Sequence, residues 1–312
     1  MDVHAWRSEF PLLARKTYLN SCSLGALSRR AQDRVAAFHE EWHTLGAAAW
    51  YDVWLGRLDE LRARVAGLLG ARPGTIALAA STSAALSVIG SALDLERRPR
   101  VLVSELDFPT LAYRWMARPD IEVVRVPSDD GATIDPQRWA DALDDRTALV
   151  ATSHVFYATG AIQELAPLAD LAHAHGALLL VDAYQSAGQV PIDVRAADVD
   201  ILTTGPLKWL LGGPGLAYLY VRDELLPRLR PTTAGWFGHA DAFSFDIARL
   251  AFHDDARRFE LGTPALPTVH SALGGQEIVD EVGVASIRRR NQALTERLID
   301  RVADALGEAG RV

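Results

Sequence analysis

The sequence predicts an α/β protein with a mostly parallel central sheet that is flanked by helices. From residue 75 onward, short apolar runs recur at 75–80, 101–103, 121–126, 148–152, 177–181 and 201–203. Amphipathic stretches separate several of these runs, and a helical region precedes them. Because the strands of a parallel sheet are buried on both faces, they read as short apolar runs between helices. These three observations favour a layered, doubly wound α/β domain.

Helical periodicity places helices before, between and after the apolar runs, over 28–43, 54–69, 136–143, 165–175 and 283–306. Gly176 directly follows the fourth of these helices, and glycine is a common residue just past a helix end. Between Pro231 and the last helix the pattern is irregular and rich in aromatic residues.

The change of pattern after Pro231 predicts two structural units. We assign residues 1–27 to an N-terminal segment, 28–240 to a large domain and 241–312 to the start of a small α/β domain. The last predicted helix has no following strands to pack on, so the small domain is expected to be incomplete.

The composition predicts a soluble cytoplasmic protein that binds a small molecule. The chain has 312 residues, of which 49% are hydrophobic, and this is enough to bury a large core. Its 32 basic and 40 acidic residues give a net charge of −8, which disfavours nucleic acid and anionic membranes as partners. Cys22 is the sole cysteine, so no disulfide forms within the chain. Neither an apolar signal segment nor an apolar stretch of about 18 residues occurs.

Polar residues that follow the apolar runs indicate a ligand site, because ligands bind at the carboxyl ends of strands in open α/β sheets. Ser81 and Thr82 begin a predicted helix, where hydroxyls and free backbone N–H groups suit a phosphate. An ordinary N-cap explains the same two residues. Asp182 follows another run and could bind a metal, a ribose or a protonated ring nitrogen.

Lys208 follows the last apolar run, and Lys16 is the only other lysine in the chain. A surface lysine is the simplest interpretation. However, the neighbours Leu207, Trp209 and Leu210 make its surroundings apolar. Desolvation lowers the pKa of an amine, so this environment favours a nucleophilic lysine that forms a Schiff base.

The cofactor pyridoxal 5'-phosphate (PLP) requires three groups of the protein: a lysine amine, a carboxylate and a phosphate-binding helix N-terminus. The carboxylate keeps the pyridine nitrogen protonated, so that the ring can accept electrons. Phe108, which follows the run at 101–103, is a candidate to stack on the ring. Burial in the core is the commoner fate of a phenylalanine.

Six short segments match the motifs of one enzyme family in order, at 18–25, 108–110, 155–160, 208–215, 235–239 and 258–264. Asp182, the stretch up to Gly188, and Asp200 belong to the same pattern. In these segments the chain resembles the class V aminotransferase family of fold-type I PLP-dependent enzymes. Among its members it resembles kynureninases most closely.

The resemblance implies a role for each residue around the PLP ring. Lys208 carries PLP and moves the substrate α-proton. Asp182 pairs with the pyridine nitrogen, and Gln185 lies near the ring oxygen. Phe108 stacks on the ring.

The resemblance also implies a phosphate site that is shared between two subunits. Thr82, with Ser81 nearby, and Trp236 hold the phosphate. Thr263 reaches the phosphate of the partner subunit across the interface of a homodimer.

Several positions depart from the best-matching families. At the position of Gln185 kynureninases have a histidine, at that of Leu207 a tyrosine, and at that of Leu111 an aspartate. Desulfurases have histidine at Leu207, asparagine at Tyr157 and a cysteine well beyond the lysine. The matched motifs still imply a kynureninase-like enzyme that cleaves or eliminates the side chain of an α-amino acid. Transamination and epimerisation share the first steps and stay open as alternatives.

A metalloprotease is the rival from another class. The segment 39–43 fits H-E-x-x-H within a predicted helix, and Glu60 could serve as a third zinc ligand. The motif is short, and its Glu and His residues are more simply explained as the solvent-exposed face of an amphipathic helix. No metal is therefore expected. A non-catalytic protein with the PLP fold is the last alternative, and the presence of both Asp182 and Lys208 argues against it.

Overall fold

The computed structural model describes residues 3–306, and a seven-stranded sheet forms their centre. The strands are β1 (Ile76–Ala79), β2 (Arg100–Ser104), β3 (Glu122–Val126), β4 (Thr147–Ser153), β5 (Leu178–Asp182), β6 (Ile201–Thr204) and β7 (Ala217–Val221). Their order across the sheet is β1-β7-β6-β5-β4-β2-β3. Neighbouring strands are parallel except in the two pairs that involve β7. The predicted mostly parallel α/β sheet is confirmed.

The α-helices of the described residues are α1 (Val3–Arg7), α2 (Arg29–Leu45), α3 (Leu55–Leu68), α4 (Thr82–Ala92), α5 (Pro109–Met116), α6 (Pro136–Ala142), α7 (Leu165–Ala174), α8 (Leu266–Val282) and α9 (Val284–Leu306). The five predicted helices are confirmed with shifts of one or two residues at their ends. Ser28 caps α2, because its hydroxyl oxygen accepts a hydrogen bond from the Ala31 N–H at 3.0 Å.

Both faces of the sheet are buried, as the apolar runs predicted. Successive residues of one strand enter different cores: Leu102 belongs to the core beneath α2, α3, α7 and α8, and Val101 belongs to the core beneath α4 and α5. Leu179 and Leu180 alternate in the same way. Since side chains alternate across a strand, two such cores require continuous apolar runs.

The elements α1, α5, β7 and α8 were not predicted, and the last two help to hold the loop that carries Lys208. The strand β7 follows this loop directly and pairs antiparallel with β1 and β6. The helix α8 contains Gly274 and Gly275 at its centre, which lower its helix propensity. A side chain at Gly275 would lie 2.3 Å from the Leu210 carbonyl oxygen, so this glycine lets α8 pack against the loop.

The stretch between Pro231 and α8 is irregular, as predicted, and contains only short 3-10 turns. The helix α8 packs mainly on α2 and α3. The domain division at residues 27 and 240 stays a prediction. None of the helices within residues 3–306 is long and apolar enough to cross a membrane.

Candidate active site

A cavity of about 240 Å³ lies at the carboxyl ends of β1, β2, β4, β5 and β6. Six of the eight predicted site residues line it: Ser81, Thr82, Phe108, Asp182, Gln185 and Lys208. A larger groove of about 530 Å³ beside α6 and α7 contains none of them. The smaller cavity is therefore the candidate active site, because it is the one that brings the predicted chemistry together.

One wall of the cavity is the start of α4. The Ser81 hydroxyl oxygen accepts a hydrogen bond from the Ala84 N–H at 3.1 Å, so the N-cap interpretation of Ser81 is correct. The Thr82 Oγ1 atom is buried and has no hydrogen-bond partner among the described residues. Such an orphaned hydroxyl beside the free N–H groups of a helix N-terminus fits a phosphate ligand.

Asp182 ends β5, and its side chain is buried at the cavity wall. Its Oδ1 atom accepts a hydrogen bond from the Tyr184 N–H at 2.8 Å. Burial raises the pKa of this carboxyl to about 6, and the Tyr184 N–H and the Lys208 charge only partly offset the effect. A buried carboxylate with few donors suits a cationic partner such as a protonated ring nitrogen.

Lys208 lies in the loop between β6 and β7 and is partly buried. Burial lowers the pKa of its amine, whereas the charge of Asp182 acts in the opposite direction. The Nζ atom lies 5.2 Å from the centre of the Tyr184 ring. A desolvated amine that faces a cavity is suited to nucleophilic attack on a carbonyl.

Gln185 connects the lysine loop to the N-terminal segment. Its Oε1 atom accepts a hydrogen bond from Trp209 Nε1 at 3.0 Å, and its Nε2 atom donates to the Cys22 carbonyl oxygen at 3.0 Å. The Gly25 N–H also donates to the Leu207 carbonyl oxygen at 2.9 Å. These bonds leave one Nε2 hydrogen of Gln185 that could be donated to the PLP ring oxygen. The predicted contact between Gln185 and that oxygen stays a prediction.

Phe108 is half-exposed at the cavity rim and packs edge-to-face on Tyr157, with ring centres 5.3 Å apart. The preceding residue, Asp107, fixes this loop. Its carboxylate accepts hydrogen bonds from the Ser104 N–H at 2.8 Å and the Ser153 N–H at 2.7 Å. Burial raises the pKa of Asp107 to about 6. Phe108 is thus held beside the cavity by ties to the ends of β2 and β4.

Trp236 and Thr263 are the two predicted residues that do not line the cavity of their own chain. Trp236 lies in an aromatic cluster with Phe237, Phe243 and Phe245. Thr263 lines a separate cavity of about 190 Å³. The predicted phosphate contact of Trp236 and that of Thr263 across a subunit interface both stay predictions.

The cavity also contains residues to which the sequence analysis gave no role: Ser83, Thr110, Ser153, Val155, Tyr157, Tyr184 and Leu207. Most of them lie within or beside the matched motifs, so their position in sequence was the available signal. Tyr184 stands out because its ring faces the Lys208 amine.

The zinc-site alternative lacks support in the described residues. The side chains of His39 and His43 are exposed, and Glu60 forms ion pairs with Arg57 and Arg64. Within residues 3–306 no three His, Cys, Asp or Glu side chains are grouped to hold a metal ion.

Solved structures that share this fold include an enzyme with PLP bound. A variant of the cystine C-S lyase C-DES, with glycine covalently linked to its PLP cofactor, matches with a TM-score of 0.85 at 25% identity. The match covers 96% of this chain and 80% of that one. The apo cysteine desulfurase of Thermococcus onnurineus NA1 also gives 0.85, at 22% identity over 97% of this chain and 77% of that one. The fold is that of the fold-type I PLP-dependent enzymes.

The chain belongs to the class V aminotransferase family, since the model of the family "Aminotransferase class-V" matches residues 19–308. It is 35% identical to "Uncharacterized aminotransferase YcbU" of Bacillus subtilis (strain 168), over 91% of this chain and 74% of that protein. It is 33% identical to a kynureninase of Deinococcus radiodurans, over 97% and 74% of the two chains. The predicted family, the enzyme class and the PLP cofactor are therefore confirmed.

Proposed function

We propose that the protein binds PLP as a Schiff base on Lys208 and cleaves or eliminates the side chain of an α-amino acid. The observation that carries the proposal is the single cavity that Lys208, Asp182 and Thr82 share. PLP, when bound, supplies an electron sink for negative charge at the substrate α-carbon.

Each residue of the cavity has a distinct task in this proposal. The desolvated Lys208 amine removes the α-proton and can return it, because its lowered pKa leaves a larger fraction unprotonated. The Asp182 carboxylate keeps the pyridine nitrogen protonated. Thr82 and the α4 N-terminus bind the phosphate, and Phe108 covers one face of the ring.

Side-chain cleavage is favoured over the other outcomes by the relatives. The sequence similarity to kynureninases extends over nearly the whole chain, and a structure with the same fold is that of a cystine C-S lyase. Leu207 lines the cavity with an apolar group at the position where kynureninases have tyrosine. We therefore propose an amino acid other than kynurenine as the substrate.

Absorbance spectroscopy and product analysis test this proposal. Added PLP should produce a visible band that Lys208→Ala abolishes and the control variant Lys16→Ala retains. Incubation with a panel of L-amino acids should release a side-chain fragment. Conversion of the substrate to its 2-oxo acid with loss of the band would instead favour transamination, and formation of the D-isomer would favour epimerisation.

We also propose that the active unit is a homodimer in which Trp236 and Thr263 complete the phosphate site of the partner. Both residues lie outside the cavity of their own chain. Phe245 packs on Trp236, and its side chain and those of Ile247 and Leu250 further along the chain are apolar and exposed, which suits an interface.

Mixing two inactive variants tests the sharing of sites. A heterodimer of Lys208→Ala and Thr263→Ala subunits contains one site with both native residues if Thr263 acts across the interface. Tight PLP binding should then return in a fraction of the sites. No recovery after exchange of subunits, which mass measurement can verify, would place Thr263 in the site of its own chain.

A further inference from the structure

We propose that Tyr184 is a positioning residue that holds the Lys208 amine over the face of its aromatic ring. This inference rests on the proposed role of Lys208 as the PLP-binding lysine. It adds a residue that the family motifs did not lead us to assign.

The contact between the two side chains has the geometry of a cation–π interaction. The Lys208 Nζ atom lies 5.2 Å from the Tyr184 ring centre, and such contacts are typically within about 6 Å. Within residues 3–306, this amine forms no hydrogen bond and no ion pair. The Tyr184 ring is therefore the group that can fix the amine in the cavity before the cofactor arrives.

The ring itself is held at both ends. At the backbone, the Tyr184 N–H donates to Asp182 Oδ1 at 2.8 Å. At the other end, the ring and its hydroxyl pack against the loop that carries Lys208. Gly205 allows this arrangement, because a Cβ atom there would lie 2.6 Å from the hydroxyl and 2.8 Å from the ring carbon Cε2. Tyr184 thus links the residue proposed for the pyridine nitrogen to the loop that carries the lysine.

Two groups around Lys208 favour its protonated form. Asp182 raises the pKa of the amine, and burial opposes it as the largest effect. The negative face of the Tyr184 ring is the second favourable group, since ring quadrupoles attract cations. Loss of the ring should therefore lower the pKa of Lys208 further and leave the amine free to move.

Chemical labelling of the two lysines tests the inference on the full chain after removal of PLP. Acetic anhydride reacts with unprotonated amines, and mass spectrometry separates the peptides of Lys208 and Lys16. In Tyr184→Leu, the midpoint of Lys208 labelling should move to lower pH by about one unit or less. In Tyr184→Phe, which keeps the ring, the midpoint should stay at the wild-type value. The midpoint of Lys16 should be the same in every variant.

The rate of PLP uptake, compared at a pH above the labelling midpoint of every variant, provides a second measurement. All the amines are then unprotonated, so a poorly positioned amine should react more slowly. Tyr184→Leu should form the visible band more slowly than wild type, and Tyr184→Phe should form it at the wild-type rate. Tyr184→Met replaces Tyr184→Leu if circular dichroism shows that the latter does not fold.

The inference is overturned if the ring-free variants keep the wild-type labelling midpoint. It is also overturned if Tyr184→Phe shifts the midpoint as far as Tyr184→Leu, because the hydroxyl would then carry the effect. Failure of the proposed function has a different signature. In that case PLP would form no adduct with Lys208 that borohydride can trap, while the labelling midpoint would still respond to the ring.

Discussion

Replacing Asp182 by asparagine should change the stability of the PLP-free chain and its affinity for PLP in opposite directions. The substitution keeps the size of the side chain and an oxygen that can accept from the Tyr184 N–H. It removes the negative charge that burial makes unfavourable in the absence of a ligand. The same charge is the group proposed to pair with the pyridine nitrogen.

The magnitude follows from the pKa of Asp182, which burial raises from 3.8 to about 6. Ionising this carboxyl in the folded chain costs about 3 kcal/mol, because each of the roughly two pH units corresponds to about 1.4 kcal/mol. The folded-state pKa lies above the unfolded-state value, so the full cost applies above pH 6. The cost decreases as the pH falls towards 3.8, since the carboxyl is then protonated in the folded state.

Urea unfolding of PLP-free protein and titration with PLP measure the two effects. At pH 7, Asp182→Asn should be more stable than wild type by up to about 3 kcal/mol, and the difference should disappear near pH 4. Its affinity for PLP should fall by about 10-fold to 100-fold. This corresponds to the loss of one hydrogen bond to a charged group, which contributes about 1.5–3 kcal/mol.

Asp200→Asn is the matched control, because Asp200 is also buried but pairs with the cationic Arg222 and with the His173 ring. Its carboxylate lies 2.7 Å from His173 Nε2 and 3.3 Å from Arg222 Nε. This variant should be less stable than wild type at pH 7, since a buried charge pair loses one partner. A destabilised Asp182→Asn at pH 7, or a stability difference that does not depend on pH, would show that the Asp182 charge is not unfavourable in the PLP-free chain.

Three further substitutions test the elements that support the site. At about pH 4, where ionising the Asp107 carboxyl costs little, Asp107→Ala should lower the free energy of unfolding by about 1–3 kcal/mol, because it leaves buried N–H donors without a partner, and urea titration would detect this. Glu260→Gln should cost about 3–5 kcal/mol by the same assay, since Glu260 is buried against Arg62 at 2.7 Å; unchanged stability would show that the pair is dispensable. Gly275→Ala should lower the melting temperature and weaken PLP binding, because its Cβ atom would lie 2.3 Å from the Leu210 carbonyl oxygen. A fully active Gly275→Ala variant would contradict the tight packing of α8 on the lysine loop.

The parts of the fold that were predictable from sequence are those where local pattern and tertiary environment agree. Val101 and Leu102 lie in different cores, so an uninterrupted apolar run was required and was visible. The strand β7 is as apolar as its neighbours, but its place in the sheet depends on pairing with β1, far away in sequence. The helix α8 was hidden because Gly274 and Gly275, which its packing requires, weaken the helical pattern.

The candidate site shows the same division. The positions of Asp182 and Lys208 could be predicted, since ligands bind beyond the carboxyl ends of strands. The contact of Tyr184 with Lys208 depends on how two loops fold towards each other, and a single sequence does not contain that geometry. The proposed contacts of Trp236 and Thr263 depend on a second subunit, so one chain cannot form them.

Lys208 is the residue proposed to bind PLP, and borohydride reduction can identify the lysine that does so. Reduction fixes a Schiff base covalently, and the protein has only Lys16 and Lys208 as candidate side chains. Mass spectrometry of the PLP-loaded, reduced protein should find the cofactor on the peptide of Lys208 and not on that of Lys16. An adduct on Lys16, or no lysine adduct in protein that binds PLP, would contradict this role of Lys208.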